Sequence, residues 1–470
     1  MERRHPRFSR WLSGILLAAL FCVPLARADE EANEASGWSS FPGKSEWLFL
    51  RGEFPDAAGQ PATDASIDLI RRFSKVLARN GIAMAFIMPP MKTHIYPEYL
   101  PDGVKSTPYM ENKYDRMVQA LRAGQVNVID LNAPFLKSPQ RSSDTPLFLR
   151  LDTHWSPAGA MLAAETVRAG INADPSLKKT LEAIPEEKFV MSWSKLKADS
   201  TQRDMIKLLP AGSPVFAPEQ VLPFFVSREQ KAAASLLGEA AAPAITLIGS
   251  SYSGPWYGFP DALRYTLQRD ILTAWVSATQ GAWVGMETYL RDDSFQTNRP
   301  KLLIWEMPAR LMDNPPDFKF REARYYSDNT EWLLRAAAWV QGTCTPSPVA
   351  AKVVAGGLAA NAADSISAGK TGKQDFIEIN FDKPISKLDY LSARVATEGS
   401  KNLVLEASGE GVETRWFDVP VPGDGAEHVL KAPLPSGGKG FTKLLIYPGK
   451  SRAFVFKGLQ VCRQPEDLLK

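Results

Sequence analysis

From about residue 44 to residue 340 the chain alternates short apolar runs with longer stretches whose apolar positions recur at helical spacing. The runs at 81–88, 126–130, 244–249 and 302–306 are apolar on both faces, the habit of parallel strands covered by helices. Between them the pattern predicts helices over 66–80, 110–123, 157–170 and 260–275. In the last, Leu263, Leu267, Ile271 and Trp275 recur every fourth position and make one stripe. The sum is an α/β layered fold with a parallel sheet. Past Cys344 the texture changes. Residues 345–369 are rich in Pro, Ala, Gly and Ser and read as a linker and the entry to a new unit. Alternating runs then follow at 376–381, 392–395, 402–406, 414–419, 441–447 and 453–456, with turn residues between them such as 423–425 and 436–438. Strands at about ten-residue spacing without a convincing helix predict an all-β sandwich.

Composition narrows the class. With 470 residues, 44% hydrophobic and 23% charged, the chain is neither disordered nor a polytopic membrane protein. Its length suggests two large domains or about three ordinary ones. Residues 1–28 carry Arg3, Arg4, Arg7, Arg10 and Arg27 against Glu2 alone, so their removal takes the net charge from +3 to −1. A near-neutral body argues against a nucleic-acid binder. The same 28 residues have a basic start, an apolar run from Trp11 to Leu20 and Ala26-Arg27-Ala28 before Asp29, the three-part pattern of a signal peptide. That run is too short for a bilayer span, so the expected product is exported and carries no transmembrane segment. Cys22 leaves with the signal. Cys344 and Cys462 then suggest a disulfide closing the β-domain at its ends, with two unrelated buried thiols as the other reading. In the chain-entropy view a loop of that length contributes at most about 4–5 kcal/mol.

Candidate chemistry is limited by three remaining histidines: His94, His154 and His428. No two are close enough in sequence to suggest a metal cluster, and no metal is expected. His428 sits beside a turn and reads as a solvated surface residue. His94, in the proline-rich loop after the strand at 81–88, reads as a packing or hydrogen-bonding residue. His154 stands in Asp152-Thr153-His154-Trp155-Ser156-Pro157, with Ser156 as the expected N-cap and Pro157 as the first residue of a helix. If the backbone is extended there, Asp152 and His154 project to one side, and the carboxylate could orient the ring as a base. The structural alternative is that both merely satisfy the helix start. Gly249-Ser250-Ser251-Tyr252 joins a buried strand to a helix, a place where a serine is exposed near backbone N–H groups. Gly-Ser turns are common for conformational reasons alone. The two segments together point to serine acyl chemistry.

These segments, with Trp47-Leu48-Phe49, the Pro89-Pro90 loop running to Ile95-Tyr96-Pro97-Glu98, and Trp305-Glu306-Met307-Pro308, together resemble the SGNH-hydrolase-like polysaccharide O-acetyltransferases. The resemblance spans essentially all of the chain after residue 28. It implies a catalytic domain over 29–344 and a carbohydrate-binding β-sandwich over 345–470. It further implies Ser251 as nucleophile, His154 as its base and Asp152 as the group orienting the ring. The acceptor would be the anionic polysaccharide alginate in the periplasm, acetylated on mannuronate through an acetyl-serine. No cofactor is expected, the acetyl group arriving by relay from a membrane O-acyltransferase. Relative to ordinary SGNH hydrolases, Asp and His stand two apart rather than three and precede the serine. The Gly and Asn of the usual oxyanion hole are not identifiable, which leaves the Ser251 amide. In the β-domain Arg415 and Trp416 stand together on a candidate strand, able to pair a carboxylate and stack on a pyranose. Arg394, Lys401 and Lys443 are lesser candidates. An acetylesterase with the same triad, or a non-catalytic polysaccharide-binding component of a secretion complex, would share these features.

Overall fold

The computed structural model describes residues 39–469 except 230–241, 278–279, 320–325, 355, 357, 359, 363–364 and 435–439. The expected signal segment and the turn at 436–438 therefore lie outside the described residues. Five strands, β1 (Ala83–Ile87), β2 (Val128–Ile129), β3 (Ile245–Gly249), β4 (Ile271–Trp275) and β5 (Leu302–Glu306), form one sheet in the order β4-β3-β5-β1-β2. All of its pairings are parallel. Because side chains alternate across a strand, Met84, Phe86, Leu303 and Trp305 join the core on one face. Ala85, Ile87, Leu302 and Ile304 join the core on the other. The first face is covered by helices α1 (Gln60–Arg79), α2 (Pro108–Ala123), α5 (Ala282–Arg291) and α6 (Asn329–Val340), the second by α3 (Pro157–Ala173) and α4 (Phe259–Leu267). Four indole and phenyl rings, Phe73, Trp283, Trp305 and Trp332, meet edge-to-face in the first core, a geometry that adds to area burial.

One helix ends earlier than its pattern predicts. The stripe over 260–275 is not continuous, because Gln268 adopts a left-handed conformation (φ 52°) that terminates α4. Ile271 to Trp275 then pair with β3 as an edge strand. A run of five residues rich in aromatic and β-branched types gains more from the open sheet edge than from another helical turn, and a four-residue stripe is equally compatible with either until that edge exists.

The second unit contains two five-stranded antiparallel sheets. One has the order β6 (Ala351–Val354), β9 (Ile377–Phe381), β14 (Lys443–Tyr447), β11 (Asn402–Gly409) and β12 (Val412–Pro420). The other has β7 (Ala360–Ala362), β8 (Ser365–Ala368), β15 (Phe454–Arg463), β10 (Asp389–Thr397) and β13 (His428–Pro433). Their inward residues, Ile377, Ile379, Leu391, Leu405, Leu444 and Phe456 among them, share one core. Residues 345–369 are thus not a linker: they supply strands β6, β7 and β8. These runs are short and made of small or mixed residues, so the pattern is weak where the sheet hydrogen bonds are not.

Cys344 and Cys462 are bonded, with Cα atoms 5.2 Å apart, which ties the end of α6 to β15. Further ties cross between the units: Lys431 Nζ donates to the Trp339 carbonyl (3.2 Å) and Gln464 Nε2 to that of Leu334 (2.8 Å). His428 is not a solvated surface residue. Its ring lies 2.6 Å from Asp293 and 2.9 Å from Asp424. Burial lowers its pKa, but the two carboxylates outweigh that and leave it raised. A turn-side histidine becomes part of a junction only when another element supplies the second carboxylate.

Candidate active site

Strand β3 ends at Gly249, and the chain turns at once into two successive 3-10 turns, Ser251–Ser253 and Pro255–Tyr257. The turn is tight enough that a Cβ on Gly249 would stand 2.0 Å from Ser253 Oγ, so only glycine fits. Beneath it lies Glu306, fully buried at the end of β5. Its carboxylate accepts from the Ser250 N–H (2.7 Å), the Ser250 hydroxyl (2.9 Å) and the Ser253 hydroxyl (2.9 Å). Burial pushes the Glu306 pKa up while these donors pull it down. Ser250 is thereby occupied in holding the turn, and its Oγ also accepts from the Tyr252 N–H. Ser251 is the serine left facing outward.

Ser251 Oγ lies 2.7 Å from His154 Nε2, and His154 Nδ1 lies 2.6 Å from Asp152 Oδ1. The segment carrying Asp152 and His154 is bent, not extended. The pair meets because the His154 N–H also donates to Asp152 Oδ1 (3.1 Å), so one carboxylate fixes both backbone and ring. Ser156 caps α3 by accepting from the Gly159 N–H (3.2 Å), with Pro157 in the first turn. Asp152 Oδ2 accepts from the Asp204 N–H (2.8 Å) and Oδ1 from the Tyr257 hydroxyl (3.2 Å). Burial works to raise the Asp152 pKa, but the His154 ring and these donors outweigh it and hold the group at about 2. A carboxylate kept ionised here stabilises an imidazolium on the other side of the hydrogen bond.

Four further residues complete this site. Tyr257 stacks on the His154 ring (centroids 4.1 Å, 21°), and burial pushes its pKa up, so it remains a donor to Asp152. Asp204 accepts from both the N–H (2.8 Å) and the hydroxyl (2.6 Å) of Thr153. Tyr252 donates to the Thr153 carbonyl (2.6 Å) and takes the Arg310 guanidinium over its ring. Lys92, from the proline-rich loop, is fully buried and donates to the carbonyls of Leu149 (2.7 Å), Arg150 (2.8 Å) and Asp152 (3.1 Å). Burial lowers its pKa to about 8. Tyr252, next to Ser251, and Tyr257, in the following turn, offer nearness in the chain as a clue, while Asp204 and Lys92 offer none. Asp152, His154 and Asp204 bring ligating atoms within 4.8 Å of one another, but both imidazole nitrogens are already engaged. The trio works as a hydrogen-bonded network. His94 lies outside it, its Nε2 3.2 Å from Asn132 Nδ2, as a hydrogen-bonding residue should.

The sandwich candidates lie elsewhere. Arg415 and Trp416 are on the edge strand β12, both exposed, and line a groove of about 670 Å³ between the two units. Trp416 is stacked on Tyr447 (5.7 Å, 24°). Lys443 is paired with Glu378 (2.8 Å). Arg394 and Lys401 are exposed and line neither this groove nor the Ser251 turn.

A serine turn after the third strand of a parallel sheet thus meets an Asp-x-His segment supplied before it. Residues 41–309 match the family described as the SGNH hydrolase-like domain of acetyltransferase AlgX, and the chain belongs to that family. Among particular relatives, the probable alginate O-acetylase AlgJ of Pseudomonas aeruginosa is 28% identical over 291 residues, covering 58% of this chain and 71% of that one. The alginate biosynthesis protein AlgX of Azotobacter vinelandii is 26% identical over 289 residues, covering 60% and 56%. Two solved structures share the fold. The O-acetyltransferase domain of Pseudomonas putida AlgJ superposes with a TM-score of 0.52 at 22% identity, covering 64% of this chain and 98% of that one. Pseudomonas aeruginosa AlgX gives 0.61 at 19%, covering 91% and 94%.

Proposed function

We propose that this chain is an O-acetyltransferase acting on alginate in the periplasm, with residues 1–28 as its export signal, 29–344 as the catalytic domain and 345–470 as the polysaccharide-binding domain. The observation that carries the chemistry is the 2.7 Å approach of Ser251 Oγ to His154 Nε2, with Asp152 on the other ring nitrogen. Family membership and relatives named for alginate acetylation support the substrate. His154 takes the Ser251 proton as Oγ attacks the carbonyl carbon of an acetyl donor. The Ser251 N–H faces the oxyanion. His154 then returns the proton to the leaving group, and the acetyl-serine ester remains. A mannuronate hydroxyl gives its proton to the same nitrogen and attacks the ester, and Ser251 recovers its hydrogen as the acetylated polymer leaves. The donor is relayed from a membrane O-acyltransferase; among the described residues no helix is long and apolar enough to cross a membrane. Arg415 and Trp416 hold the polymer at the edge of the sandwich.

The test is to expose the protein to a small acetyl ester with and without mannuronate oligomers. A single added acetyl on Ser251, and acetylated oligomer when acceptor is present, are the expected results. Free acetate at the same rate regardless of acceptor would instead make it an acetylesterase, and no acetyl on the protein would leave a non-catalytic binder.

A further inference from the structure

Two tryptophans beside the nucleophile belong to neither core of the catalytic unit. Trp256 is 57% exposed and Trp275 37%. Together they make an exposed aromatic pair rather than a scattered single residue, and both are held in place. Their rings meet edge-to-face, centroids 5.0 Å apart at 79°. Trp256 is pressed against the backbone of Gly254, where a Cβ would stand 2.8 Å from its six-membered ring and 2.9 Å from the Ser251 carbonyl oxygen. The indole and the nucleophile's own peptide therefore crowd the same point. Trp275 is in register with Gly249, the residue that opens the serine turn, and the next residue's N–H donates to the Gly249 carbonyl (3.1 Å). That next residue, Val276, projects to the other face of the strand, against Gly285 of α5.

We propose that Trp256 and Trp275 form the acceptor subsite: a rigid aromatic corner that stacks one pyranose ring of a uronic-acid polymer beside Ser251. This rests on the transferase reading and names what positions its acceptor. The axial C–H groups of a pyranose carry slight positive charge and pack on the negative face of an indole. A ring already locked by Gly254 and Trp275 binds without losing further rotamer freedom. Edge-to-face packing occupies one side of the corner and leaves an indole face for the sugar.

The test uses the full chain with 5-fluorotryptophan in place of tryptophan, its resonances assigned through Trp256→Phe and Trp275→Phe. Titration with a mannuronate hexamer is expected to shift the Trp256 and Trp275 signals. If both stay in place, whatever other signals move, the subsite is overturned. In acetyl transfer to the hexamer, Trp256→Ala is expected to raise KM about tenfold, with a much smaller change in kcat, and Trp256→Phe to restore most of the loss. A loss wholly in kcat with KM unchanged would overturn it too. The mass of Ser251 after exposure to a small acetyl ester separates the two readings. Acetylated Ser251 with unmoved tryptophan signals removes the subsite alone, whereas shifted signals on a protein that never acquires acetyl leave a polymer-binding corner and remove the transferase.

Discussion

The serine turn and the edge of the sandwich are built on opposite principles. Beneath Ser251 the polar groups are partnered and closed to solvent: Glu306, Ser250, Ser253, Asp152 and Tyr252 are all buried. Along β12, Glu413, Thr414, Arg415 and Trp416 are all exposed. Arg415 has one distant ion pair, to Glu413 at 4.0 Å, which water screens. Chemistry needs three atoms held within tenths of an ångström, so the surroundings over-determine them. On the proposed function, grip on a long polymer is spread over many weak contacts, and no single one has to be fixed.

Variants can break that contrast, and the largest effect is expected at the nucleophile. Ser251→Ala should reduce acetyl transfer by 10³-fold or more in kcat/KM, while the melting temperature stays within about a degree, because the remaining network does not depend on Oγ. A large stability loss would mean that Ser251 is a structural group. Glu306→Ala removes the common acceptor of Ser250 and Ser253 and strands buried donors, at a cost of about 3 kcal/mol in urea unfolding, together with loss of transfer. Unchanged stability would show that the turn holds itself. Acid unfolding sharpens the comparison further. The Asp152 pKa is about 2 folded against 3.8 unfolded. A depressed carboxylate contributes stability that is fully present above the unfolded value and is lost as pH falls through the folded one. About 2 kcal/mol should therefore disappear between pH 4 and pH 2, and Asp152→Asn should flatten that limb of the curve. Smallest is Trp416→Ala on the exposed edge: about fivefold weaker binding of mannuronate oligomers by calorimetry, with stability changed by less than about 0.5 kcal/mol. If Trp416→Ala destabilised the sandwich as Glu306→Ala does the turn, the two regions would not differ in kind.

Several elements are legible in the sequence. The four apolar runs, 81–88, 126–130, 244–249 and 302–306, contain four of the five strands of the parallel sheet, because a strand buried on both faces must be apolar throughout. Ser156 and Pro157 marked the start of α3. The fifth strand, Ile271–Trp275, was hidden in a helical stripe, since a short apolar run fits either period. In the sandwich the strongly alternating runs were found, while β6, β7, β8 and β13 were not, their residues being small or mixed.

The order of apolar and polar residues by itself determined that there would be a helix-covered parallel sheet followed by a β-rich unit, and which few side chains were candidates for the proposed acyl transfer. Those are local properties, written into neighbouring positions by the geometry of strand and helix. Only the tertiary structure decided that Ser251 and not Ser250 meets His154, that Tyr257 and Asp204 brace Asp152, that His428 joins the units, and that two exposed indoles stand beside the nucleophile. Each of these depends on contacts between distant parts of the chain, 97 residues for Ser251 with His154 and 105 for Tyr257 with Asp152. Such contacts are set by how layers pack, and no periodicity in the sequence encodes them.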